Sequence, residues 1–132
     1  MIEERWRPRR KPNGSRVKSW TKKFGVHIVK LFQTLPKSEE ARILGKPLLR
    51  SATSVGATDR AVCRARSKPE IIAMMGVVVE EADKTDYGLE MLEDSGILDK
   101  SARSGLLVEA NELLALFAAS LRTARQSDTR GE

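Results

Sequence analysis

Cysteine and histidine are almost missing from this chain: Cys63 and His27 stand alone among 132 residues. A single thiol forms no internal disulfide. One imidazole, with no second His or Cys at a ligand spacing, leaves zinc sites and most acid–base centres without their usual parts. Aromatics make up 5% of the composition, too few for the stacking platforms on which RNA-binding folds hold unpaired bases. No apolar run approaches the roughly 18 residues that cross a bilayer, and the opening MIEERWRPRR has no apolar stretch behind its charge, so it does not read as a secretory signal. Neither a GxGxxG nor a Walker phosphate loop occurs. These absences argue against an enzyme, a cofactor, a metal centre or a membrane protein, and the expected location is cytoplasmic.

What the chain does have is charge, with 24 Lys or Arg against 18 Asp or Glu and a formal net charge of +6. The excess is confined to one end. Residues 1–23 hold Arg5, Arg7, Arg9, Arg10, Lys11, Arg16, Lys18, Lys22 and Lys23 against Glu3 and Glu4, a local charge of +7, while the remaining 15 basic and 16 acidic residues balance to −1. With Pro8, Pro12, Asn13 and Gly14 among them, residues 1–18 read as a basic, flexible arm. Such an arm is drawn to polyanions, because each cation that neutralises a phosphate releases a condensed counterion. The plainer alternative is a solubilising tail with no fixed partner.

Behind the arm, hydrophobic periodicity predicts helices and no strands. Trp20, Phe24, Ile28, Leu31 and Leu35 fall on one helical face that ends before Pro36. Ser38, followed by Glu39 and Glu40, is a natural N-cap for a second helix. Gly45 and Pro47 interrupt its start, so Glu39 to Lys46 is expected as an irregular or kinked lead-in before the stripe Leu48, Ala52, Val55, Asp59 and Val62. Ser67-Lys68-Pro69-Glu70 is a capping-box pattern opening a third helix. Its seam is Ile71, Met75, Val78, Ala82, Thr85, Leu89 and Leu92, and Gly96 closes it. Asp99 is placed to cap a fourth helix with the stripe Leu106, Ala110, Leu113, Phe117, Leu121 and Ala124. Four amphipathic helices joined by short loops define an all-α, antiparallel up-down-up-down four-helix bundle over residues 19–126, followed by a polar tail at 127–132.

Few residues on this frame carry chemistry. Helix three has an acidic run of Glu80, Glu81, Asp83, Asp86, Glu90, Glu93 and Asp94 relieved by Lys84. A di-metal bundle site would need Glu-x-x-His motifs on two helices, which one histidine cannot supply, so the run reads as a solvated or salt-bridging face. Positive charge gathers at the end of helix two in Arg60, Arg64, Arg66 and Lys68. Phosphates would suit these residues, although cations near a helix C-terminus also complement the helix dipole without any ligand.

The segment LLRSATSVGATDRAVCRARSKPEIIAMMGVVVEEADKTDYGLEMLEDSGIL, preceded by IVKLFQTLP, resembles the bacterial four helix bundle proteins, also called the 23S rRNA-intervening-sequence protein family. The likeness runs from about Lys22 to Arg125 and is strongest at Leu48 to Gly56, at Cys63 to Ser67, and at Glu80 to Asp83 with Gly96 behind it. It implies a small antiparallel bundle that assembles into homopentamers and is not an enzyme. A related branch, the accessory variability proteins of diversity-generating retroelements, has basic pentameric barrels that bind nucleic acid and a reverse transcriptase. Two departures stand out: Gly56-Ala57-Thr58-Asp59 replaces a Gly-Ala-Asn-aromatic pattern, and Pro47 occupies a helical position.

The reading as a whole is a non-enzymatic, homo-oligomeric bundle that binds RNA or DNA electrostatically with low sequence specificity. The groups expected at phosphates are Arg5, Arg7, Arg9, Arg10, Lys11, Arg16, Lys18, Arg60, Arg64 and Arg66, with a nucleic-acid-handling protein such as a reverse transcriptase as a possible companion. The alternative is a structural or protein-interaction oligomer without a nucleic-acid ligand. Two structural expectations accompany it: Arg50 faces Asp83 across an antiparallel hairpin, and Ile72, Met74, Val77 and Val79 are left to be covered by a neighbouring copy.

Overall fold

The structure, a computed structural model, describes residues 14–131, with side chains described for 16–99 and 105–127. Four helices follow in order: α1 (Gly14–Thr34), α2 (Glu39–Val62), α3 (Lys68–Asp94) and α4 (Lys100–Gly131). Each packs against its neighbour in sequence, and α1 closes the bundle against α4. This is the expected all-α antiparallel four-helix bundle, with no strand among the described residues.

The helix ends are set by short polar residues and one glycine. The Ser38 hydroxyl accepts from the Ala41 amide at 3.3 Å, and the Ser67 hydroxyl accepts from the Glu70 amide at 3.2 Å, satisfying donors that a first turn leaves without partners. Glu70 turns back to accept from the Arg66 amide at 2.9 Å, one residue ahead of the reciprocal partner in a capping box. At the other end of α3, Gly96 has φ +80°. Its amide donates to the Glu93 carbonyl and that of Ile97 to the Leu92 carbonyl, both at 3.0 Å. That pair of bonds is a Schellman cap, and only glycine takes the left-handed conformation there without steric cost.

The predicted stripes supply the core. Trp20, Phe24, Ile28 and Leu31 on α1 and Leu35 just beyond it are all buried, and they meet Leu48, Ala52 and Val55 from α2, Val78, Leu89 and Leu92 from α3, and Leu113 and Phe117 from α4. Ile71 and Met75, at the start of the α3 seam, are only half-buried. Glycine lets α1 and α2 approach: a β-carbon on buried Gly45 would lie 2.9 Å from Leu35 Cδ1 and 3.0 Å from Phe32 Cε1.

Several expectations need correction. No irregular lead-in precedes α2, which is helical without interruption from Glu39 through Pro47. Pro47 and Ile43, four residues before it, both lie on the exposed face, so the carbonyl that proline deprives of a donor is on the water side. Arg50 does not pair with Asp83. Both side chains are exposed, and the contact across the hairpin falls one residue on in α2 and two on in α3, where Ser51 Oγ and Thr85 Oγ1 lie 3.0 Å apart in the core. Each hydroxyl also reaches a carbonyl of its own helix, Ser51 that of Leu48 at 3.2 Å and Thr85 that of Glu81 at 2.8 Å, and either can donate to the other. α1 begins at Gly14 and α4 runs to Gly131, so Arg16 and Lys18 stand on a helix rather than on an arm. Of the four apolar residues expected to lie outside the core, Val77 is exposed and Ile72, Met74 and Val79 are half-buried.

Candidate nucleic-acid interface

The expected phosphate-binding groups divide into two sets. Arg5, Arg7, Arg9, Arg10 and Lys11 lie outside the described residues. Of the rest, Lys18 comes from α1, Arg60 from the last turn of α2, and Arg64 from the connection that follows. The antiparallel packing of α1 on α2 brings these three, together with Lys22, onto one open groove of about 870 Å³. Arg16 and Arg66 are exposed but do not line it. Lys22 belonged to the basic segment in the sequence without being singled out as a site residue. Its spacing of four from Lys18 was the available signal, since residues one turn apart share a helix face.

Small residues make the floor of the groove. Gly25, Gly56, Ala57 and Ala61 line it, and a β-carbon on Gly56 would sit 3.5 Å from the Thr21 carbonyl oxygen. The backbones are therefore near contact, while the longer residues on either side rise as walls. Thr21 adds no free hydroxyl to the floor, since its Oγ1 donates to the Lys18 carbonyl at 3.1 Å. Val26 and Val29 make one part of the lining apolar. Among the described residues no acidic or aromatic side chain lines the groove, so an anion placed there meets four cations.

One acidic group lies close by and was not recognised as important from sequence. Asp59, on the core-facing stripe of α2, is half-buried, and its Oδ2 is buried with no hydrogen-bond partner among the described residues. Burial pushes its carboxyl up to about 6 from 3.8, against the opposing pull of Lys18. A free carboxyl thus competes for one of the groove's cations. Asp86 on α3 is also raised to about 6, by burial and then by the nearby Glu90 and Asp83. With its amide oriented to donate, Asn111 of α4 bonds Asp86 through the same nitrogen that lies 3.1 Å from Oδ1.

α1 is held to α4 by a polar contact inside the core. Trp20 Nε1 donates to Glu109 Oε2 at 2.7 Å, with both residues buried. His27 is half-buried on α1 and Cys63 is exposed beyond α2. Among the described residues no three His, Cys, Asp or Glu side chains gather to hold a metal, and no helix is long and apolar enough to cross a membrane.

This bundle has a counterpart among solved structures. A crystal structure of a protein of unknown function from the S23 ribosomal protein family of Bacteroides thetaiotaomicron is similar with a TM-score of 0.75 and 27% sequence identity, covering 83% of this chain and 97% of that one. The chain shares its fold with a small all-helical protein of that family. No family model matches the sequence, and no curated protein does.

Proposed function

We propose that this protein is a non-enzymatic, homo-oligomeric bundle, acting in the cytoplasm, that binds RNA or DNA through backbone phosphates. The observation that carries the reading is the meeting of Lys18, Lys22, Arg60 and Arg64, from two separate stretches of sequence, around one groove with no acidic lining. Four cations held on a concave surface at fixed spacing suit a polyanion better than a scattered solvated face does. The groove has no aromatic lining among the described residues, so recognition there rests on phosphates, which position a strand without reading its bases. The basic arm adds to this attraction, and the similarity to a protein assigned to a ribosomal protein family fits an RNA setting.

The test is a titration of labelled RNA and DNA oligonucleotides at several salt concentrations. Four single-strand phosphate contacts in the groove alone give a slope of log affinity against log salt of about −2.8, and arm contacts make it steeper. Absence of binding at low salt rejects the proposal. A second reading, a protein-interaction oligomer, is supported by the exposure of Tyr87 (65%) and Ile43 (61%). It predicts association that persists at high salt.

A further inference from the structure

Resting on that reading, we infer that the α1–α2 groove takes a single strand of nucleic acid in preference to a duplex. Its walls are two packed helices, whose axes in general lie about 8–10 Å apart, and its floor is the run of small residues Gly25, Gly56, Ala57 and Ala61. A duplex meets such a cleft as a broad convex rod carrying its phosphates on two separated strands. It rests on the rims and leaves the floor empty. A single backbone is narrow enough to descend between the walls and meet Lys18 and Lys22 on one side and Arg60 and Arg64 on the other.

The spacing of the cations supports this arrangement. Lys18 and Lys22 are one helical turn apart on α1, where four residues rise about 6 Å, while Arg60 in the last turn of α2 and Arg64 in the turn beyond it line the other side. The step along α1 is comparable with the interval between successive phosphates of an extended strand, so that wall offers one cation per phosphate. The apolar stretch at Val26 and Val29 gives the exposed face of a sugar or base a place to lie, which a paired and stacked base cannot use. Without an aromatic platform in the groove, affinity for the strand comes from phosphates and from the fit of the backbone to the cleft.

The distinction is between shape and charge, and Ala57 separates them. It is exposed on α2 and lines the groove, so Ala57→Leu narrows the cleft without changing any charge. The full-length protein is titrated by fluorescence anisotropy with a labelled oligothymidylate and with a mixed-sequence duplex of the same length, at low salt. The expected result is tighter binding of the single strand, and a fall of about tenfold in the ratio of single-strand to duplex affinity in Ala57→Leu, as a strand denied the floor loses phosphate contacts. Ala61→Leu, one turn further along, gives the same result by a second route, and circular dichroism verifies that both variants are folded. A duplex bound as tightly as the single strand, or an unchanged ratio in both folded variants, overturns the inference while nucleic-acid binding itself stands. Failure of both nucleic acids to bind the wild-type protein overturns the inference and the reading it rests on.

Discussion

α1 and α3 differ more than any other pair of helices in this bundle. α1 carries Arg16, Lys18, Lys22, Lys23 and Lys30 and no acidic residue. α3 carries Glu70, Glu80, Glu81, Asp83, Asp86, Glu90, Glu93 and Asp94 against Lys68 and Lys84. The topology keeps them apart, for α1 packs on α2 and α4, and α3 on α2 and α4. A bundle whose charge nearly cancels over residues 24–132 is therefore a molecule with opposed sides. Net charge describes solubility, whereas the placement of charge around the bundle describes what the protein attracts and where. The cationic side is concave and, among the described residues, lined without carboxylates. On the acidic side, Lys84 and Glu81 already neutralise one another at 3.6 Å.

The contrast depends on α1 staying in place, and its polar latch offers the largest effect. Trp20→Phe preserves an aromatic ring but removes the donor that satisfies Glu109 inside the core. Leaving a buried carboxyl without its partner is expected to lower the unfolding free energy by about 3 kcal/mol. Urea unfolding measures this. Adding Glu109→Leu to Trp20→Phe should recover part of the loss, because two apolar partners need no hydrogen bond.

The second prediction separates arm from groove. Since α1 begins at Gly14, the informative truncation removes residues 1–13 and leaves every cation of the groove. It takes away Arg5, Arg7, Arg9, Arg10 and Lys11. If these meet five phosphates of a single strand, the slope of log affinity against log salt becomes less steep by about 3.5. Affinity at low salt should fall by about a hundredfold, or about 2.7 kcal/mol. A truncated protein that binds as tightly as the full chain makes the arm a bystander and leaves the groove as the whole site.

The third reverses charge on each side in turn. Arg60→Glu with Arg64→Glu puts two carboxylates on one wall of the groove and is expected to weaken nucleic-acid binding about thirtyfold, close to 2 kcal/mol. Both positions are exposed, so thermal stability should change little. Reversing Glu80 and Asp83, also exposed, to Lys on the acidic side should change affinity by less than about threefold, because screening confines the effect of surface charge to a Debye length of about 10 Å. Equal effects from the two sides would mean that binding follows net charge and that the groove has no special standing.

These contrasts were unevenly legible in the sequence. The stripe from Trp20 to Leu35, the caps at Ser38 and Ser67 and the stop at Gly96 depend on spacings within one helix, and a period of 3.6 residues fixes them before any tertiary contact forms. Features that depend on how two helices are rotated against each other were displaced or missed. A turn of about 100° per residue separates Arg50 from Ser51, and twice that separates Asp83 from Thr85, so a small rotation of each helix exchanged an expected ion pair for the Ser51–Thr85 hydroxyl contact. Glu109 read as one more polar residue beside the α4 stripe, since only the approach of α1 shows that it meets the Trp20 ring nitrogen. The groove was hardest to foresee. It is shaped by side chains that Gly25 and Gly56 do not have, and its cations come from segments some forty residues apart in sequence.

Asp59 gives the smallest effect and tests how the cationic side is tuned. Its folded pKa of about 6 lies above the ordinary 3.8, so between these values the folded protein holds a proton that the unfolded chain releases. Stability from this group is therefore fully present below about pH 4 and is lost as pH rises through 6. Asp59→Asn removes that dependence and keeps the shape. The full shift would correspond to about 3 kcal/mol, but a half-exposed group is screened by solvent, and about 1 kcal/mol is expected. Wild type and variant should be equally stable near pH 4 and diverge in favour of asparagine up to about pH 7. The difference between them is the quantity to read, because Asp86 titrates in the same range in both proteins. Freed from its carboxylate neighbour, Lys18 should also bind phosphate more strongly in the variant at neutral pH, by about twofold. Parallel stability curves from pH 4 to 7 would show that Asp59 is solvated in the folded protein and exerts no hold on the groove.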